Sequence, residues 1–184
     1  MKKNYEYEAK CLIEESDYET ILKSLSLSNT HIQTNHYLET ENNDLKNNNL
    51  ALRIRLKNKK FELTLKQKIK TGNIENNIDI DFELANYILS TKKIPEELCA
   101  VLGLDFNFFD SISTIVTTRT TFDFENIIVE LDKSTFNEKT DFEIEIEADN
   151  IEIANHKMEL LLNKFDINFK KSMPKIARFH LYNQ

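Results

Sequence analysis

The sequence predicts an α+β fold in which a closed antiparallel β-barrel with a hydrophilic lumen carries helices packed against its outside. Three observations lead there. Five segments alternate apolar and charged residues with period two. The charged parities sort by strand into acids and bases. Apolar stripes at helical spacing stand between the strands.

The first alternating segment is Tyr5 to Ile13, with Tyr5, Tyr7, Ala9, Cys11 and Ile13 on one parity and Glu6, Glu8, Lys10 and Leu12 on the other. Successive side chains of a strand point to opposite faces, so its three charges share one face. Tyr18, Ile21, Leu22 and Leu25 then follow helical spacing, and Ser16 with Glu19 three residues on reads as a capping box opening that helix. The Asn-rich stretch Glu41 to Asn49 reads as a polar loop. Leu50 to Lys57 opposes Leu50, Leu52, Ile54 and Leu56 to Arg53, Arg55 and Lys57, and Phe61 to Lys68 opposes Phe61, Leu63 and Leu65 to Glu62, Thr64, Lys66 and Lys68. A second helical region comprises Leu84, Tyr87 and Ile88 and, after Pro95, Leu98, Val101 and Leu102, with Gly103 closing it. Ile112 to Phe124 alternates more weakly. Ile127 to Asp132 sets Ile127, Val129 and Leu131 against Glu130 and Asp132, and Phe142 to Glu147 sets Phe142, Ile144 and Ile146 against Glu143, Glu145 and Glu147. Ile153, Met158, Leu161, Leu162 and Phe165 form the last helical stripe.

Any one of these strands fits an ordinary half-exposed sheet. Together they do not, because exposed sheets usually mix Lys and Glu across neighbouring strands, where opposite pairs stabilise by about 0.2–1 kcal/mol and like pairs cost. Acids gather on the Tyr5, Ile127 and Phe142 strands and bases on the Leu50 and Phe61 strands. A barrel lumen in which metal ions neutralise the acids and an anion the bases compensates such runs.

Composition narrows the function. At 184 residues with 40% apolar residues, the chain is long enough for one domain with its own core, and no 20–50-residue repeat or Pro- or Ser-rich linker divides it. The single-domain expectation covers residues 1–184. No apolar run reaches the roughly 20 residues of a bilayer crossing, and Met1-Lys2-Lys3 does not open a signal peptide, so a cytoplasmic protein is expected. The 24 Lys plus Arg against 31 Asp plus Glu leave a net charge of −7, which argues against specific nucleic-acid binding. Two glycines, Gly72 and Gly103, exclude a P-loop or a dinucleotide fingerprint. Cys11 and Cys99 fit core packing, and His31, His36, His156 and His180 share no ligand spacing. Phe106, Phe108 and Phe109 read as a satellite apolar cluster.

The lumen candidates are the acids Glu6, Glu8, Glu62, Glu130, Asp132, Glu143, Glu145 and Glu147 and the bases Lys10, Arg53, Arg55, Lys66, Lys68, Arg119, Lys175 and Arg178. Hard oxygen donors suit Mg²⁺ or Mn²⁺. Guanidinium forks suit an oligophosphate. Phosphoryl transfer is the chemistry expected.

Glu6-Tyr7-Glu8-Ala9-Lys10 resembles the E-x-E-x-K signature of the CYTH family, the triphosphate tunnel metalloenzymes that include class IV adenylate cyclases, thiamine triphosphatases and inorganic triphosphatases. In family order follow the Asn35 to Thr40 strand, Ala51 to Arg55, Glu62 to Lys66, Thr118-Arg119, Glu130 to Asp132, Asp141 to Glu145 and Lys175 to Phe179. The resemblance runs through roughly residues 3–182 and is strongest to small bacterial members. It implies an eight-stranded antiparallel tunnel around a small triphosphate-containing molecule. The metal carboxylates would be Glu6, Glu8, Glu143 and Glu145, with Asp132 nearby and Glu147 as an alternative partner of Glu145. Phosphate ligands would be Lys10, Arg53, Arg55, Lys66 and Arg119, with one of Lys175 and Arg178. Glu6, Glu8, Lys10 and Lys66 would form the catalytic group. Tripolyphosphate is the favoured substrate because nothing marks a base pocket. The rivals are adenylate cyclase, thiamine or nucleoside triphosphatase, and a polyphosphate- or nucleotide-binding module without turnover. A homodimer is expected only from the cyclase relatives. Pro174 before Lys175 cannot donate to a ladder, so the last segment is expected to be an edge or a plug.

Overall fold

The structure is a computed structural model that describes residues 1–183. Its described residues form eight strands and six helices. The strands are β1 (Lys2–Ile13), β2 (Asn29–Glu39), β3 (Leu50–Lys57), β4 (Lys60–Ile69), β5 (Gly72–Ile80), β6 (Ser111–Phe124), β7 (Ile127–Phe136) and β8 (Lys139–Ala148). The helices are α1 (Glu15–Ser24), α2 (Asp44–Asn47), α3 (Phe82–Thr91), α4 (Glu96–Leu102), α5 (Ile151–Phe165) and α6 (Lys175–Tyr182). The strands close in the order β1-β5-β4-β3-β2-β6-β7-β8, the barrel expected from the alternation. None of the helices is long and apolar enough to cross a membrane.

Two compact units compose the chain: Met1–Tyr5 with Thr34–Thr114, and Glu6–Gln33 with Ile115–Gln184. The first unit packs Leu52, Ile54, Leu63 and Leu65 from β3 and β4 against Ala85, Ile88, Cys99 and Leu102 from α3 and α4. The second packs the apolar parity of β1, β7 and β8, including Cys11, Leu131 and Ile144, against Ile21 of α1 and Met158, Leu161 and Leu162 of α5. Both cysteines are buried, as expected. In β1, β3, β4, β7 and β8 the apolar parity packs against helices and the polar parity faces the other way, into the barrel.

With so few glycines, asparagine takes the left-handed turn positions. Asn58 and Lys59 (φ 50° and 63°) join β3 to β4, and Glu125 and Asn126 (φ 52° and 64°) join β6 to β7. Paired positive φ values are those of the hairpin turns whose twist matches the strands, and Asn tolerates them better than other side chains. Asn43, Asn49 and Asn137 occupy further positive-φ positions, so part of the Asn content is backbone chemistry. Gly103 closes α4 at φ 72°, as predicted.

Four expectations need correction. Helix α1 begins two residues before the expected box, with Glu14 as its N-cap, and the Glu14 N–H donates to the Asp17 carboxylate at 3.2 Å. Strand β5 was not anticipated, although Gly72 opens it and Ile74, Ile78 and Ile80 share one parity. The Glu41 to Asn49 loop contains the short helix α2. The terminal segment is not an edge strand: Pro174 caps helix α6, where a missing N–H is no loss, and of the two expectations the plug is left. Asp17→Ala is expected to lower unfolding free energy by about 1 kcal/mol, and Glu19→Ala to shift the urea midpoint less; the reverse order would restore the Ser16–Glu19 box.

Candidate active site

Within the second unit, the pairing of β7 with β8 sets Asp132 opposite Glu143 and Glu130 opposite Glu145. Asp132, Glu143 and Glu145 are buried, and one carboxylate oxygen from each lies within 4.8 Å of the others. Four cations surround them. Arg119, directly opposite Asp132 on β6, donates to it bidentately at 2.7 and 2.6 Å, reaches Glu145 at 3.0 Å and pairs with Glu130. Lys10, opposite Glu145 on β1, lies 3.4 Å from it and 3.0 Å from Glu8. From α6, Lys175 Nζ contacts Asp132 at 2.9 Å and Glu143 at 2.5 Å, and also pairs with Glu145. Arg178 forks onto Asp141 at 2.7 and 3.3 Å and onto Glu143 at 3.1 Å through each terminal nitrogen.

The electrostatics follow from burial against pairing. Burial alone would push the Glu145 carboxyl up, but Lys10, Lys175 and Arg119 hold it well below the usual carboxylate range. Burial likewise opposes ionisation of Asp132, and Lys175 and Arg119 outweigh it. At Glu130 burial wins, and its pKa is raised despite Arg119. Lys175 gains from Asp132, Glu145 and Glu143 more than burial costs it, so its pKa lies well above that of a free lysine. Asp132 and Glu145 are thus held in the ionised form, and the trio consists of oxygen donors alone, the donor chemistry of Mg²⁺ or Mn²⁺. Asp132, Glu143 and Glu145 therefore fit a divalent cation, and Lys175 is the charge such a cation would replace.

In the first unit the interior parity is basic. Arg53 Nη2 and Lys66 Nζ lie 3.4 and 3.3 Å from Glu75 of β5, and Arg55 Nε donates to Asn35 Oδ1 of β2 at 2.9 Å. Sequence reading missed Glu75 because β5 was missed; its signal was the alternation of Glu75, Asn77 and Asp79 with isoleucines. Ser172, also missed, donates to Glu143 and accepts from Arg178 Nη1 at 2.5 Å.

The sequence-predicted residues thus divide. Asp132, Glu143 and Glu145 come together with Lys10, Arg119, Lys175 and Arg178, while Arg53 and Lys66 gather at Glu75. Glu6 and Glu8, half-buried on β1, are not members of the carboxylate trio, and Glu147, across from Glu8, is exposed. Lys68 is exposed, and Glu62 lies between Arg55 and Asp79 in the ladder. All five N–H groups of Arg178 are engaged, by Asp141, Glu143, Ser172 and the Met173 carbonyl.

The family model described as "CYTH domain" matches residues 4–180. The chain belongs to the CYTH family. A Bacillus subtilis relative named "Putative triphosphatase YjbK" is 30% identical over 184 residues, which are 98% of this chain and 96% of that protein. A Bacillus halodurans structure described as a "putative adenylate cyclase" superposes with a TM-score of 0.88 at 30% identity, covering 97% of this chain and 99% of the other. A Hippeastrum protein, described as a "putative adenylyl cyclase" that reveals a dominant triphosphatase activity, has a TM-score of 0.75 at 24% identity and covers 97% and 95% of the two chains. That last likeness supports the fold. The CYTH relatives are thus named for triphosphatase and adenylate cyclase chemistry.

Lys175→Met should test the carboxylate trio directly. Removing one partner of a buried charge cluster costs about 3–5 kcal/mol, so the variant should melt well below the parent. Millimolar Mn²⁺ should raise its melting temperature by several degrees more than that of the parent. Equal metal responses would show that no cation takes the ammonium's place.

Proposed function

We propose that this CYTH protein is a divalent-metal-dependent triphosphatase that removes the terminal phosphate of inorganic tripolyphosphate. The observation that carries this reading is the trio Asp132, Glu143 and Glu145, three buried carboxylates side by side. Such a group has no structural advantage over apolar packing and suits a divalent cation. We assign Glu6 and Glu8 to the same metal-binding role from their family signature. When bound, the cation would neutralise phosphate charge and polarise the phosphorus under attack.

The protein's own groups do the rest. Arg53, Arg55 and Lys66 bind phosphate oxygens through charge-assisted hydrogen bonds, and Glu75 orients two of them. Lys10 and Arg119 keep Glu145 ionised and serve phosphate with the same heads. Arg178, engaged on Asp141 and Glu143, anchors α6, and Lys175 serves phosphate once a cation replaces it on the trio. A loose phosphoryl-transfer transition state needs positioning and charge neutralisation, and no nucleophilic side chain is required. Tripolyphosphate is favoured because the residues assigned here recognise phosphate and none recognises a base.

The test is phosphate release from tripolyphosphate, ATP and thiamine triphosphate with Mg²⁺, with Mn²⁺ and with chelator, alongside a search for cyclic AMP. Metal-dependent release fastest from tripolyphosphate is expected. Cyclic AMP with diphosphate would make the protein a cyclase, and inertness toward every substrate a binding module. Within the triphosphatase reading, Glu8→Gln should abolish turnover and retain affinity for a non-hydrolysable imido analogue of tripolyphosphate, whereas Arg55→Ala should weaken that affinity tenfold or more. Equal loss of affinity in both would contradict the division of roles.

A further inference from the structure

One row of the second unit's interior is uncharged. Strands β2 and β6 are neighbours, and hydrogen bonds between the Thr30 and Thr120 hydroxyls (2.9 Å) and between His36 Nδ1 and Thr114 Oγ1 (3.0 Å) fix their register. That register sets Gln33 across from Thr117. The next ladder sets Thr117 across from Ser134, with their hydroxyl oxygens 3.0 Å apart. Gln33 is 2% exposed, and Thr117 and Ser134 are wholly buried. Two residues along β6 and β7 lies the Arg119–Asp132 pair.

The hydrogen bonds of this row do not close. Thr117 and Ser134 carry two O–H donors, and their mutual bond consumes one. Gln33 Oε1 is buried and finds no donor among the described residues. A donor and an acceptor are thus left over on one row, where an unmet buried polar atom costs roughly 1–3 kcal/mol. Phosphate oxygens accept and cannot satisfy Oε1. A water molecule satisfies both groups, accepting from the hydroxyl and donating to the amide oxygen, and buried waters are held by two to four such bonds.

Resting on the triphosphatase reading, we propose that Gln33, Thr117 and Ser134 seat and orient the water that attacks the terminal phosphorus. Gln33 and Thr117 are then water-positioning residues. With two bonds fixing the water, a lone pair remains for the reaction. Its oxygen bonds the terminal phosphorus, and the bridging P–O bond breaks with its electron pair on diphosphate. One water proton stays on the new phosphate and the other is taken up by the diphosphate. An uncharged seat suits this step, since a lysine there would hold the lone pair that must attack.

Gln33→Met keeps the shape and removes the amide; Thr117→Val removes only the hydroxyl. Each should lower kcat on tripolyphosphate tenfold or more, with KM and affinity for the imido analogue within twofold of the parent. The double variant should be little worse than either alone, because the two act on one water. The melting temperature of Gln33→Met should not fall, since it removes an unmet polar atom. Parental kcat in both variants, or affinity falling in step with kcat, overturns the nucleophilic role. The seat itself is read without turnover. A crystal structure of the parent should hold an ordered water bonded to Gln33 and to one of the two hydroxyls, absent from Gln33→Met; no water there overturns the seat. A parent that hydrolyses no triphosphate overturns the triphosphatase reading and the water's role in it, leaving the crystallographic result to decide the seat.

Discussion

The burial of Asp132, Glu143 and Glu145 within 4.8 Å of one another is the constraint on which the second unit depends. Each ion removed from water carries a penalty of several kcal/mol, repaid only by close opposite charge and further hydrogen bonds. One counter-ion could not supply that. Lys10 comes from β1, Arg119 from β6, and Lys175 and Arg178 from α6, so the trio is compensated only when all three elements are in place. Helix α6 is fastened to β7 and β8 by charge, with Tyr182 packed edge-on against Phe136 of β7. Lys175 and Arg178 stand three residues apart on one helical face, and Tyr182, four further on, donates to Asp141 at 3.1 Å.

That arrangement explains what the sequence could and could not reveal. Strands β1, β3, β4, β7 and β8 alternate cleanly because one parity meets helices and the other the barrel interior, and α1, α3, α4 and α5 carry apolar stripes because they cover the outside. Both signals arise from burial of hydrocarbon. Helix α6 buries Lys175 and Arg178 instead, so hydrophobic periodicity is silent on it. In β5 the stretch Asn73 to Asp79 weakens the apolar parity with Asn76. Gly72 was its only punctuation.

The site was legible to the same depth. Charge sorting by strand exposed the carboxylates of β8 and the bases of β3 and β4, because excess like charge in a sheet has no stabilising explanation. What no single-strand pattern encodes is which carboxylate meets which cation. Lys175 and Arg178 read as phosphate ligands, and no pattern in their own segment points to their contacts with Glu143. Glu75 was hidden with its strand, and Gln33 because an uncharged residue on a polar parity carries no charge signal. Its meaning depends on Thr117 and Ser134, far away in sequence.

The ladders also show where stability was given up. Asp132 faces Glu143, Glu130 faces Glu145, Glu8 faces Glu147 and Glu62 faces Asp79. Directly opposed like charges destabilise a sheet, and a chain shaped for stability alone would place Lys opposite Glu, as at Lys10 with Glu145 and Lys66 with Glu75. Both solutions occur on the same strands, so favourable pairing was within reach of this sequence. Local conflict of this kind concentrates at functional sites, where one requirement of a stable fold yields to chemistry. Two of the four like pairs include members of the buried trio. There Arg119 and Lys175 bridge the opposed acids, so each like pair is held together by a cation that contacts both members. A sheet that needs a cation between its strands is already organised around binding positive charge.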